Sequence, residues 1–533
     1  MGGKQLQMVL RMVPVLALVL YAEFVIAWFG RTDNASGCAI VRISAYALVY
    51  AMSGFLFRVF KADALRWLVV ILTVWTCFEC ILGLLQIYGI IESKHQLYQV
   101  TGSFINPNPY AGFLAVSSSI LAAYLWGHCK GRGYLRVSAC VSLVLVLTVI
   151  PATGCRSAVC ALIVALMLLL REKRMFGRMK VPKTLLVIAL SCIMALMYLW
   201  KKPSADWRMF QNRISVMTIL GNPFWGCGLG HYGGAVSATQ LDYFKDILEL
   251  RNGNVVIPPV HSTECRTAGW SRYAFCDPLQ IGVEAGAFTM VTYLCWVAVS
   301  LMILYRQRSP LFYGLVALQV TSLFSYPLQM WQTGLLLAVM SGGAAGDGPV
   351  NVKTFLPQAG MVLVAAATLV CCFPEVREMK QSASEWESDR FFFNRGEYAL
   401  YCRYCEKRIR HLGDNADFLL EYGLSLSKTG SLGKSDSVLA AGFLLSGKPA
   451  FQLFLGDNNM ARGDYEAARN CYWNSFCAIP DRLLPLARLA RAYKAQGRTD
   501  CLDSLVTFVD GFNMRIESDV TESLRTEIKK TRQ

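Results

Sequence analysis

The feature that most constrains this chain is the recurrence of apolar runs long enough to cross a bilayer. A membrane-spanning helix needs roughly 17–25 mostly apolar residues. Runs near that length fall at 8–29, 38–57, 67–90, 108–127, 137–152, 155–170, 184–200, 281–305, 311–327, 329–345 and 355–373. Hydrocarbon offers no partner to backbone N–H and C=O groups, so each run must satisfy its own and is predicted helical. With 54% apolar and 17% charged residues over 533 positions, the chain is not an ordinary soluble protein. The reading is an all-α polytopic membrane helix bundle of about 11–12 spans. Residues 1–30 begin basic and then turn apolar like a signal peptide, but the run is long and lacks a small-residue cleavage site. It reads as a retained signal anchor.

Orientation follows from where the cations sit. The net charge is +16, yet Lys4 and Arg11, Arg58, Lys61 and Arg66, Lys130, Arg132 and Arg136, the cluster from Arg171 to Lys183, and Arg306 and Arg308 occupy every second connection. That pattern is a topology signal and not a nucleic-acid footprint. It puts the N-terminus in the cytoplasm and the connections at 91–107, 151–156 and 201–280 together on the outer face. The longest of these, 201–280, is a polar excursion expected to cap any active site there. Its own basic residues are compatible with translocation, because long loops escape the charge rule.

From Glu375 the chain turns charged and polar, which divides it into a membrane domain, 1–374, and a soluble domain, 375–533, on the outer side. Gly396, Gly430, Gly463 and Gly497 recur at spacings of 34, 33 and 34, and GDYEAAR follows the third. This is the period of tetratricopeptide helix pairs, which bind partner proteins or peptides. The 19 cysteines make no disulfide framework, since many lie in apolar runs as small hydrophobes. Cys227, Cys265 and Cys276 could pair in an oxidising compartment. Cys402 and Cys405 lie one helical turn apart with no second pair at zinc spacing, so no metal site is read there.

Several stretches could carry chemistry. Asn106-Pro107-Asn108-Pro109 breaks the chain just before a span, turning amides and freed backbone towards water. Arg156 stands at the outer end of a tight connection, where it either snorkels or meets an anion such as a lipid diphosphate. Arg208 and Arg213 offer guanidinium forks suited to phosphate oxygens. Of the five histidines, His95, His231 and His261 lie in outer connections. The glycine turn GCGLGHYGG has no βαβ surroundings and carries no nucleotide reading.

Taken in order, GSFINPNPYAGFLA, GCRSAVCALIV, NPFWGCGLGHYG and DPLQIGVEAGAF resemble the motifs of the bacterial O-antigen ligase and polymerase family over roughly residues 100–300. The resemblance implies an inner-membrane glycosyltransferase that moves a glycan from an undecaprenyl diphosphate carrier to a glycan, lipid or protein acceptor on the periplasmic face. It implies neither a metal nor a cofactor. Arginines would hold the diphosphate, with Arg156 and Arg208 first and Arg213 third, and Asn106 and Asn108 beside them; a loop histidine would assist the acceptor hydroxyl. Aligned on Leu279-Gln280, however, the family histidine falls on Phe275. The base then comes from His261, from Tyr273 or Asp277, or the chain is a non-catalytic scaffold that binds lipid-linked glycan and recruits a periplasmic partner through its tail. A protein O-oligosaccharyltransferase is the nearest enzymatic variant.

Overall fold

A computed structural model of the chain describes every residue except 1–2, 31–32, 96, 128–132, 173–197, 200–201, 347–351, 516 and 533. The expected span at 184–200 and the basic residues Lys130, Arg132 and 173–183 therefore lie wholly or almost wholly outside the described residues. Among those described there are twenty-two α-helices, two 3-10 turns and one two-stranded antiparallel hairpin.

Seven helices are long and apolar enough to cross a membrane: Met12–Phe29, Ala35–Phe60, Ala62–Ile87, Pro107–Gly127, Tyr134–Ala152, Ala287–Arg306 and Leu356–Asn394. The run at 155–170 forms Arg156–Glu172, 17 residues long. The two runs around Pro327 form shorter helices, Leu311–Phe324 and Trp331–Ala345, of 14 and 15 residues. Pro327 has no N–H to donate and disfavours helix in the residue before it, and Ser325 is extended (φ −157°).

This interruption frees backbone groups among packed helices, and side chains from distant elements satisfy them. Arg208 Nη1 donates to the Phe324 carbonyl (2.8 Å), Asp277 Oδ2 accepts from the Leu328 N–H (3.1 Å), and Arg42 Nη1 donates to the Gln329 carbonyl (2.8 Å). Tyr46 donates to the Met330 carbonyl (3.2 Å) and Thr333 to that of Pro327. Each buried polar group left unmade would cost about 1–3 kcal/mol.

The division at 374/375 falls inside one continuous helix, Val352–Asn394, of 43 residues. Beyond it the tail is a run of helices, each packed on its neighbour in sequence. Gly396, Gly430, Gly463 and Gly497 all adopt left-handed φ (78°, 80°, 78° and 68°), and each lies between the end of one helix and the start of the next. Their spacing thus marks a repeated turn. Cys402 and Cys405 are buried in the tail's core beside Tyr401 and Phe418, while Cys227, Cys265 and Cys276 are free thiols.

The tail does not stand apart from the polar excursion. Phe210, Ile214, Tyr232, Phe244 and Val255 of the excursion share one apolar core with Tyr472, Phe476, Leu486 and Leu505 of the tail. The excursion helix Tyr232–Ile247 packs on Leu432–Ser446 and Tyr465–Ala478, and its hairpin strand on Thr499–Gly511. These are the helices that follow three of the spaced glycines. Gln240 Nε2 donates to the Ala478 carbonyl (2.7 Å) and Trp270 Nε1 to that of Ser446 (2.8 Å).

The closest approach is at the hairpin. Its two-residue turn, Asn252-Gly253, has positive φ at both positions (46° and 82°), the geometry that matches strand twist. A Cβ on Gly253 would overlap the Cys501 carbonyl. We expect Gly253→Val to destabilise the protein by more than about 2 kcal/mol, whereas Gly463→Ala, where a Cβ meets nothing within 4 Å, costs only about 1 kcal/mol. Thermal unfolding in detergent distinguishes the two.

Candidate functional site

The connections at 91–107 and 151–156 and the start of the excursion meet at one end of the bundle. The Asn-Pro turn is fixed from below by two buried polar side chains of the helix Ala62–Ile87. Glu79 accepts from the Ser103 N–H (3.0 Å) and hydroxyl (2.6 Å), and Gln86 Oε1 accepts from the N–H groups of Thr101 and Gly102 (2.9 and 2.8 Å). Asn106 Oδ1 accepts from the Asn108 N–H (3.0 Å), an Asx turn that starts the helix Pro107–Gly127. The Asn108 carbonyl lies 3.9 Å from Cys155 Sγ. Arg156 follows as the first residue of Arg156–Glu172.

Arg208, on the excursion helix Lys202–Gly221, completes the group. Its guanidinium caps the Phe324 carbonyl and lies 4.9 Å from the Phe275 ring centroid, while its Nε has no hydrogen-bond partner. Burial lowers the Arg208 pKa, and the charge of neighbouring Arg156 lowers it further. Arginine still remains protonated. The Arg156 charge is near enough to act on Arg208 electrostatically, and an anion between the two guanidinium groups would ease that repulsion. Phe275 also packs edge-on against Trp207 (4.8 Å) and Tyr326 (5.7 Å), and Tyr326 packs on Tyr273 (5.3 Å).

The structure thus gathers Asn106, Asn108, Arg156, Arg208 and, through Tyr326, Tyr273. Arg213 and His261 lie elsewhere. Five residues on a helix turn through about 500°, so Arg213 leaves the helix on a different side from Arg208. Arg213 pairs with Glu264 (2.6 Å). His261 Nδ1 is 2.8 Å from Glu264 Oε2 and 3.3 Å from the Tyr243 hydroxyl, and Tyr243 donates to the same carboxylate. Burial acts to raise the Glu264 pKa, but the hydrogen bonds from Tyr243 and His261 and the Arg213 charge outweigh it and hold it low. These four side chains tie the short helix Ser262–Thr267 to the two longer excursion helices.

Asp277 is fully buried at the start of the helix Asp277–Ala285, and burial pushes its carboxyl up to about 8 against the opposing Leu328 N–H. Its Oδ1 and Arg42 Nε have no hydrogen-bond partner. Both residues line a cavity of about 130 Å³ beside the helix interruption, with Gln280, Glu284 and Gln329. That is room for about four water molecules.

Glu79, Arg42, Tyr326 and Asp33 are not among the residues singled out from the sequence, and His231 is there only as an outer-connection histidine. Glu79 and Arg42 are charges inside apolar runs, a signal that can be read from sequence alone. Tyr326 precedes the proline that interrupts a run. His231 and Asp33 carry no such mark: buried His231 Nε2 lies 2.8 Å from Asp33 Oδ2 and its Nδ1 2.9 Å from the Leu229 carbonyl, joining the excursion's glycine turn to the connection between the first two helices.

These features define the class only coarsely, as an all-helical chain with several helices able to span a membrane and a polar cluster at one bundle end. In comparison with known proteins, no family model matches the chain and no curated protein matches it.

The Asp33–His231 pair sets a pH dependence. Burial works to raise the Asp33 pKa, but His231 and the Ser36 N–H and hydroxyl outweigh it and bring it to about 2. A carboxylate depressed on folding contributes stability above its unfolded value near 4 and loses it as pH falls towards 2. We expect thermal stability in detergent to fall over that window by up to about 2 kcal/mol, allowing for solvent screening. In Asp33→Asn this component of the fall should vanish.

Proposed function

We propose that this chain is a membrane glycosyltransferase of the O-antigen ligase and polymerase kind. It transfers or polymerises an oligosaccharide carried on a polyprenyl diphosphate. The observation that carries the reading is the Arg156–Arg208 pair, built from two remote stretches and set beside the Asn106–Asn108 turn at the end of apolar helices. A diphosphate is the ligand such a pair suits: guanidinium forks match its oxygens, and their charge stabilises it as a leaving group without a metal. In this reading the bundle lies in the bacterial inner membrane with this end periplasmic, and the tail is a tetratricopeptide-like stack. The repeated left-handed glycine turns at the spacing of that repeat support the latter.

Phe275, aligned with the family histidine, lies against Arg208, so the alignment and the arginine cluster agree on where the reaction centre would be. The same residue favours a second reading, a scaffold that binds lipid-linked glycan without turning it over, because phenylalanine cannot take a proton and His261 is engaged with Glu264.

Purified protein incubated with lipid-linked oligosaccharide and glycan, lipid or polypeptide acceptors separates the two. Transfer by wild type that falls at least about 100-fold in Arg156→Ala and in Arg208→Ala supports the enzyme. Tight binding of the donor with no transfer to any acceptor supports the scaffold, and loss of neither binding nor transfer in the arginine variants overturns the site.

A further inference from the structure

The excursion helix Lys202–Gly221 has two unlike sides. Phe210, Ile214 and Thr218 are buried in the core shared with the tail or beside it. On the opposite side Met209, Val216 and Leu220 are 64%, 44% and 72% exposed. Positions i, i+7 and i+11 form a single stripe along a helix, here an apolar stripe on what would otherwise be a solvated surface. Arg213 emerges beside it with its guanidinium turned to Glu264.

The stripe runs on into Phe224 and Trp225, which are 61% and 71% exposed. This segment is fastened to the start of a span. The Ala287 N–H donates to the Pro223 carbonyl (2.7 Å), Gly286 takes φ 91° where a Cβ would overlap the Phe224 carbonyl, and the Phe224 ring stacks on Phe288 (5.8 Å). Phe288, itself exposed, is the second residue of the apolar helix Ala287–Arg306. The stripe is therefore continuous with the outward surface of that helix at its first turn, the level at which aromatic residues gather in a membrane protein.

From this continuity we infer that Lys202–Gly221 is a bilayer-facing helix. It lies in the membrane surface with Met209, Val216, Leu220 and Trp225 among the upper acyl chains and its other side on the excursion's core. Burying such a stripe in the interfacial region is favourable in proportion to its apolar area, and a basic residue beside it remains at headgroup level. Because Arg208 projects from the same helix, a lipid-borne anion reaches it sideways from the bilayer and not from the aqueous side. This last clause rests on the proposed function; the membrane contact does not.

The test uses the full chain in phosphatidylethanolamine and phosphatidylglycerol nanodiscs, with benzoylphenylalanine placed in turn at Met209, Val216, Leu220 and, as a control, Asn470, exposed on the tail. After illumination, lipid adducts at the first three positions should exceed those at Asn470 roughly tenfold. Adducts to a second copy of the chain, or none to lipid, overturn the inference. Should a labelled variant fail to fold, quenching by bromine-labelled lipid gives an independent reading: Trp225→Phe should lower the quenchable share of emission, and an unchanged share overturns the inference. Lipid adducts without any transfer activity would refute the enzyme reading alone.

Discussion

An interrupted helix inside an apolar bundle is tolerable only if its freed carbonyls and N–H groups find partners, and this structure is arranged around meeting that demand. At Phe324–Met330 the partners come from three regions: Arg42 from the second membrane-length helix, Asp277 from the short helix that closes the excursion, and Arg208 from the helix that opens it. Arg42 and Arg208 each bring a full charge, so each is bound to its position more firmly than a neutral side chain would be. The excursion is thereby anchored at both ends to one point of the bundle, with Arg208 within electrostatic reach of Arg156.

Anchored in this way, the excursion becomes a platform. One side of it carries the polar cluster and the other merges with the tail in a single apolar core. Among the described residues, the tail's last helices have no apolar core separate from that of the excursion. Here, removing the tail would expose Phe244, Leu248 and Val255. Tail and excursion therefore stand or fall together energetically, although even the bonded residues Trp270 and Ser446 are 176 positions apart in sequence.

Much of the architecture could be read from residue order. Hydropathy located the helices that cross or nearly cross the bundle, and the glycine spacing located the tail's turns, because both are local properties of the chain. The interruption at Pro327 was legible as a boundary between two apolar runs, yet its consequence was not, since the partners of its backbone lie at residues 42, 208 and 277. The site divides in the same way. Arg156 and the Asn-Pro turn stand out by position, whereas the separation of Arg208 from Arg213 depends on how their shared helix rolls against Phe275 on one side and Glu264 on the other. That Tyr472 and Phe476 belong to the same core as Phe210 is carried by no local pattern at all.

The helix Val352–Asn394 links the bundle to the tail without a break. With 43 residues, Pro357 and Pro374 among them, it is a rod of at most about 65 Å, and along its length it enters three separate cores: Met361 and Ala365 in the bundle, Cys372 and Val376 against Ile40, and Met379, Ala383 and Trp386 in the tail. Such a rod fixes height and azimuth together, because one added residue would lift everything beyond it by about 1.5 Å and turn it by about 100°. The tail meets the excursion in register only at one setting of that gauge.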